Sequence, residues 1–369
     1  MDTTDPSLSS PQEAGPPPPP PSRRSLPSSR RWAIALVAVS VVLLGAGVVA
    51  RYVQLPYDTL APGSTRMVNP VVEVKGHPSY PPQGKVFYTT VSVRERVNPY
   101  EALAGWLDPA VDVIPETRIR GPVPPDQFER MNVEAMADSK TTAQVLALRQ
   151  LGFTDLGAGA EVVEVQAGLP ASGVLEPDDV ITAIDGKQVA TSSDAVSAIR
   201  ARAPGDTLHM TVKRGDRAPF DAQAVLGHGD EGKALLGVRL STKVKLPFEI
   251  KIDSGRVVGP SAGLAYSLEL LDLLTPGELT GGSSVAATGE LQADGRIGAI
   301  GGVAQKTVSV RRAGIKVFLV PKENEAEARA HAGSNLEIRG VATFDEALKA
   351  LGSLDGSNAL ALGKPGAGT

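Results

Sequence analysis

Gly259-Pro260-Ser261-Ala262-Gly263 stands directly before an apolar run in which Leu264, Leu268, Leu271 and Leu274 recur at helical spacing. Pro260 suits the first turn of a helix, because its missing N–H would have no partner there. Thr275-Pro276-Gly277 stops the run. Ser261 is thereby placed at a helix N-terminus, where free N–H groups and the helix dipole favour a developing oxyanion. The bland alternative is a serine that only caps the helix. A second alternative is the G-x-S-x-G turn of α/β-hydrolases, which needs an acid and then a histidine downstream. The only histidine after Ser261 is His331, in an Ala/Glu/Arg-rich stretch that reads as a solvated helix.

A serine without histidine needs another base, and a desolvated lysine is the known substitute. Burial penalises the charged amine, depresses its pKa and can leave a neutral group able to take the serine proton. The best candidate is Lys306, in IGAIGGVAQKTVSVRRAGIKVFLVP from Ile297 to Pro321. It follows Gly301-Gly302 on an expected helix whose apolar neighbours are Val303, Val308 and Val310, and Lys316–Val320 reads as the next strand. A solvated helix charge is the ordinary fate of such a lysine.

Composition removes most competitors. The chain has no Cys, which excludes disulfides, thiolate zinc sites and a cysteine nucleophile. Its four histidines, at 77, 209, 228 and 331, are scattered and form no HExxH, and no P-loop occurs. Neither a metal nor a cofactor is expected. A net charge of −4 argues against a nucleic-acid partner.

Several segments must position these residues. Residues 1–31 hold nine Pro, six of them consecutive from Pro16 to Pro21, and read as a disordered Pro/Ser-rich tail. Trp32–Ala50 carries no charge and is long enough to span a bilayer as a helix. Arg23, Arg24, Arg30 and Arg31 precede it, which puts the N-terminus in the cytoplasm and the later domains outside. A cleaved signal peptide, with Val48 and Ala50 at the cleavage site, competes with this uncleaved anchor. Residues 55–157 read as a mixed α/β segment with a strand at Lys85–Val93 and a helix over Asp126–Leu151, and show no compelling chemistry. In residues 158–228, strands are expected at Ala160–Val165, Val180–Ile184 and Thr207–Lys213, with a helix from about Asp194 capped by Ser193. Residues 232–352 carry the serine and the lysine, with a strand at Leu246–Ile252, and residues 353–369 read as a flexible tail.

The run GLPASGVLEPDDVITAIDGKQV, Gly168–Val189, resembles the central part of PDZ domains of bacterial proteases. The resemblance implies a small β-barrel with a groove in which an extended peptide adds as a strand. The usual carboxylate-binding loop is not clear, and LGF at Leu151–Phe153 and GAGA at Gly157–Ala160 are poor matches. GPSAG at 259–263, TGEL at 288–291, GRIGAIGGVAQK at 295–306 and RRAGIKVFLVPKENE at 311–325 look like the proteolytic domain of Lon-type Ser-Lys peptidases. The whole layout resembles the PDZ-containing, Lon-like, membrane-anchored peptidases of bacteria. That resemblance implies an α+β multi-domain chain: one N-terminal transmembrane helix, a PDZ-like β-barrel module and a Lon-type α/β proteolytic domain without an ATPase. It implies Ser261 as nucleophile, Lys306 as general base and Thr288 as a hydroxyl positioning the amine, with Gly259 and Ala262 in supporting places. It also implies peptide or protein substrates held by the PDZ-like groove, and a homo-oligomer. Many Lon proteases have an acid three residues before the serine, where this chain has Val258. The alternative from another class is a catalytically silent, membrane-anchored peptide-binding scaffold.

Overall fold

The computed structural model describes residues 28–154, 156–229 and 232–354. The Pro-rich stretch before Ser28 and the tail from Asp355 lie outside them. Helix α1 (Ser28–Ala50) comes first. Then follow β1 (Tyr57–Met67), β2 (Val72–Lys75), β3 (Lys85–Arg94), α2 (Pro99–Leu107), β4 (Asp112–Pro115), α3 (Thr117–Arg120) and the long α4 (Pro125–Gln150). The middle of the chain forms β5 (Gly157–Val165), β6 (Asp179–Ile184), β7 (Lys187–Gln188), α5 (Ser192–Arg200), β8 (Thr207–Arg214), β9 (Phe220–Val225), β10 (Gly227–His228) and β11 (Ala234–Leu235). The last stretch forms β12 (Val238–Val244), β13 (Glu249–Ile252), α6 (Gly263–Leu274), β14 (Ser284–Ala287), β15 (Glu290–Leu291), β16 (Ile297–Gly298), α7 (Val303–Arg312), β17 (Val317–Pro321), α8 (Glu325–His331), β18 (Glu337–Val341) and α9 (Phe344–Gly352).

The contacts divide the chain at Val53/Gln54 into two units. The first holds α1, whose apolar side chains from Trp32 to Val49 are exposed. Arg30–Ala50 is long and apolar enough to cross a membrane.

In the second unit one six-stranded sheet runs β18-β17-β14-β3-β1-β4. β14 lies parallel to both β17 and β3, and β1 pairs antiparallel with β3 and β4. A second sheet runs β12-β5-β6-β8-β9, with β7 on β6. These sheets cross the segment limits read from the sequence. β1, β3 and β4 belong to residues 55–157 yet complete the sheet of β14, β17 and β18. β12 comes from beyond residue 232 yet forms the edge of the sheet that residues 158–228 were expected to close by themselves. Composition marks linkers, whereas strand pairing between residues far apart in sequence leaves no compositional trace.

The helix expected over Asp126–Leu151 forms as α4. Its later half buries Ala143, Val145, Leu146, Ala147 and Leu148 in one core with α6, while Met131 and Val133 in its first half stay exposed. α6 is buried along its whole length. That includes Glu269 and Asp272, whose carboxyls burial pushes up to about 7 and about 6. The helix expected from about Asp194 starts two residues earlier, with Thr191 as N-cap in a capping box with Asp194. The strand expected at Leu246–Ile252 shortens to β13, which pairs with β2.

An isolated 232–352 fragment would expose the β14 edge that β3 covers. We expect that fragment to show no cooperative thermal transition by circular dichroism, whereas residues 54–369 melt cooperatively.

Candidate active site

Gly259 has φ of 93°, a left-handed conformation open to glycine, and turns the chain into a short 3₁₀ turn, Pro260–Ala262, that runs on into α6. Pro260 has no N–H, and the Ser261 N–H precedes the first hydrogen bond of the turn. Ser261 thus sits where the sequence puts it, at the entry to α6. α7 brings Lys306 to it from the other side, with Nζ 2.7 Å from Ser261 Oγ and 3.3 Å from Thr288 Oγ1. Gly302 lets α7 start close against the sheet. Its φ is 67°, and a Cβ there would lie 2.8 Å from Val91 Cγ1.

The Lys306 side chain is 3% exposed. Burial alone lowers its pKa, to about 7, with no carboxylate acting on it. A neutral amine has one lone pair and two N–H groups, so it can accept from the Ser261 hydroxyl while donating to Thr288. Thr288 leaves β14 with its backbone N–H on Leu319 O at 3.0 Å. Its hydroxyl donates to Ser261 O at 3.0 Å, and Gly289 N–H reaches the same carbonyl at 2.8 Å. The three residues read as a constellation therefore meet, and Ala262 is buried beside them.

α4 holds the serine turn from behind. Gly259 N–H donates to Asn132 O at 3.0 Å, and Ser139 Oγ donates to Pro260 O at 2.8 Å. Pro260 C=O and Ser261 N–H share one trans peptide plane and point opposite ways. Ser139 thus fixes the direction of the Ser261 N–H. Sequence reading missed Ser139, because a lone serine in a polar helix carries no motif.

Ser261 and Lys306 line a cavity of about 1020 Å³, with Thr89, Val91, Phe128 and Ile300 among its other walls. Val258, in the place where many Lon proteases have an acid, also lines it and is half-exposed. His331 is not among the walls; its ring bonds the Glu327 carbonyl of its own helix. Among the described residues no cluster of His, Asp or Glu is arranged to hold a metal.

An unpaired strand edge lies along β12, at the end of its sheet. Gln166 N–H donates to Gly237 O, which makes Val238–Val165 a non-hydrogen-bonded pair. Val238's own N–H and C=O therefore face away from β5. Ala195 and Ile199 of α5 share a core with Leu236, Val238 and Leu240, and Ser192 N–H caps onto Thr242 Oγ1 at 3.0 Å. The loop sought at Leu151–Phe153 or Gly157–Ala160 is at neither place. Phe153 packs edge-on against Phe248, and Gly157–Ala160 lies inside β5. The run that leads into β12 is instead Leu236-Gly237-Val238, with Gly237 at φ 80°. It was legible as apolar-Gly-apolar before an alternating strand, but lay beyond the assumed end of the module at 228.

Comparison with known proteins gives the class of each part. Residues 238–352 match the Lon protease (S16) C-terminal proteolytic domain, and residues 150–219 match the PDZ domain. Lon protease 2 of Thermus thermophilus is 34% identical over 122 residues, covering 32% of this chain and 15% of that protein. The Lon protease of Haemophilus influenzae is 36% identical over 146 residues, covering 38% and 18%. A solved PDZ domain of an SdrC-like protein from Listeria monocytogenes is 31% identical, covers 22% of this chain and 86% of its own, and has a TM-score of 0.21. The chain is thus a mixed helix/strand, multi-domain protein with a PDZ-type part and a Lon-type proteolytic part. It spans 15% to 20% of the length of the curated relatives it matches.

An unpaired buried lysine has a thermodynamic signature. Its folded-state pKa, about 7, lies below the unfolded value of 10.5. Between those values the unfolded chain binds the extra proton, so stability rises with pH there, by about 1.4 kcal/mol per unit at most. The penalty is greatest at and below about pH 7 and vanishes above 10.5. Lys306→Met is therefore expected to melt at a higher temperature than wild type at pH 7, with the gain shrinking toward pH 10.

Proposed function

We propose that this chain is a membrane-anchored serine endopeptidase that cleaves proteins with a Ser261–Lys306 dyad. The observation that carries the reading is a lysine amine 2.7 Å from a serine hydroxyl, buried and with its pKa lowered to about 7. Neutral Lys306 takes the proton from Ser261 Oγ as that oxygen attacks the peptide carbonyl carbon. The oxyanion forms beside the Ser261 N–H and the N-terminal end of α6. The ammonium then protonates the departing amine, leaving an acyl-enzyme. In the second half Lys306 takes a proton from water, and hydroxide addition releases the acid and restores the serine. Thr288 keeps the amine in line, Gly259 gives the turn its shape, and Ala262 packs under it.

The free edge of β12 beside α5 is read as the peptide groove, with Leu236-Gly237-Val238 receiving the carboxylate end and the main chain adding as a strand. α1 is read as the anchor, with the arginines before Trp32 on the cytoplasmic side and residues 52–369 outside. A silent scaffold accounts poorly for Lys306, because an unpaired buried amine destabilises the fold and peptide binding at β12 has no use for it.

A fluorophosphonate probe should label wild type and not Ser261→Ala. Peptide cleavage should rise about tenfold per pH unit below about 7 and level off above it, as Lys306 loses its proton. Lys306→Arg keeps the charge but cannot accept a proton, so it should be nearly as inactive as Ser261→Ala, and the double variant hardly worse. His331→Ala should retain activity; a dead His331→Ala beside an active Lys306→Arg would replace the dyad with a hydrolase triad.

Ser139→Ala frees the peptide plane that carries the Ser261 N–H. A fall in kcat on the order of tenfold at nearly constant KM is expected, smaller than outright loss of an oxyanion donor. A change confined to KM would mean that Ser139 has no part in aiming that N–H.

A further inference from the structure

Helix α2 is built inside out for a surface helix. Asn98 caps it through a capping box with Glu101, and Glu101 also pairs with Arg94 at 2.5 Å. Its buried face is small: Ala102 and Gly105, the latter so close that a Cβ would lie 2.7 Å from Val113 Cγ2. Its outward face carries the large side chains. Leu103, Trp106 and Leu107 are 53%, 66% and 76% exposed, with Tyr100 at 51% on the same helix. A helix on a soluble surface turns polar residues outward. Here the outward face is apolar and aromatic over two turns, a patch that marks an interaction site.

Chain connectivity says what lies near it. Leu55 N–H donates to Val97 O at 3.0 Å, and Val97 N–H to Tyr57 O at 2.9 Å. Val97 directly precedes the α2 cap, and Leu55 is five residues past Ala50, where the apolar helix ends. Five residues reach at most about 18 Å, and a helix of this length adds roughly 13 Å. The linking chain itself exposes Tyr52 and Val53. Wherever α1 leaves a bilayer, covalent length limits how far α2 can lie from that surface. Trp and Tyr favour that headgroup depth, and a helix with one apolar face lies in its plane.

We propose that α2 is a second membrane contact, lying in the bilayer interface with Leu103, Trp106 and Leu107 among the lipid acyl chains. The proposal rests on the reading of α1 as a membrane anchor and goes beyond it. It also names a substrate class. β3 supplies the cavity walls Thr89, Val91 and Val93 and ends at Arg94, four residues before the α2 cap. A lipid-seated α2 keeps that wall within about 15 Å of chain from the interface. Substrates are then the juxtamembrane segments of membrane proteins, in preference to freely diffusing ones.

The chain's two tryptophans, Trp32 and Trp106, report on the two readings separately. Full-length protein is reconstituted in lipid nanodiscs with or without lipids brominated along the acyl chain. Trp106→Phe leaves Trp32 as reporter of the anchor, and Trp32→Phe leaves Trp106 as reporter of α2. Quenching of both is the expected result. In the Trp32→Phe background, Leu103→Glu with Leu107→Glu should abolish Trp106 quenching while circular dichroism stays unchanged. Quenched Trp32 with unquenched Trp106 overturns the α2 contact and leaves the anchor standing. Quenching of neither removes both readings. A Trp106 emission that follows protein density in the disc and ignores bromine would assign the face to a second copy of the chain.

Discussion

An ammonium group taken out of water and given no carboxylate is a poor place for a charge, and the arrangement around Ser261 depends on that fact. Lys306 is held by α7 with its amine enclosed, and burial alone accounts for its lowered pKa. An acid nearby would restore the charge and remove the lone pair. Val258, where many Lon proteases have an acid, leaves this cavity with fewer ways to stabilise the ammonium. Thr288 takes over orientation without charge, because a hydroxyl can accept from the amine while donating to the Ser261 carbonyl.

Holding an amine and a hydroxyl at 2.7 Å needs rigid supports on both sides. α6 is buried along its whole length, and α4 lies across it, joined through Ser267 Oγ to Ala143 O at 3.1 Å. α7 rests on β1 and β3, where Ser309 Oγ reaches Gly63 O. The serine therefore stands on one layer of helices and the lysine on another, with the six-stranded sheet tying them together. Strands from the early part of the chain are structural parts of a site whose Ser261, Thr288 and Lys306 all come late.

The same interleaving links the β12 edge to this scaffold. One face of β12 completes the second core, and the other carries Arg239 and Ser241 onto Glu134 and Asp138 of α4. α4 in turn holds the serine turn through Asn132 and Ser139. The PDZ-type part is thus braced against the helix behind Ser261, and does not hang from a flexible linker.

The sequence alone determined the local facts. Pro260 and the leucine spacing placed Ser261 at a helix start, the glycines before Lys306 announced the next one, and nineteen uncharged residues announced α1. These are short-range rules of backbone geometry and of periodicity, and each is written within a dozen residues or so. Tertiary structure decided what those rules cannot reach. Whether Lys306 is buried depends on β1 and β3, far earlier in the chain, so no local pattern sets the charge on its amine. Ser139 became relevant only because α4 crosses the serine turn, and the loop at Leu236–Val238 only because β12 pairs with β5. The outward apolar face of α2 escaped the pattern reading as well: an amphipathic helix shows that it has two faces, and only packing tells which face is inside.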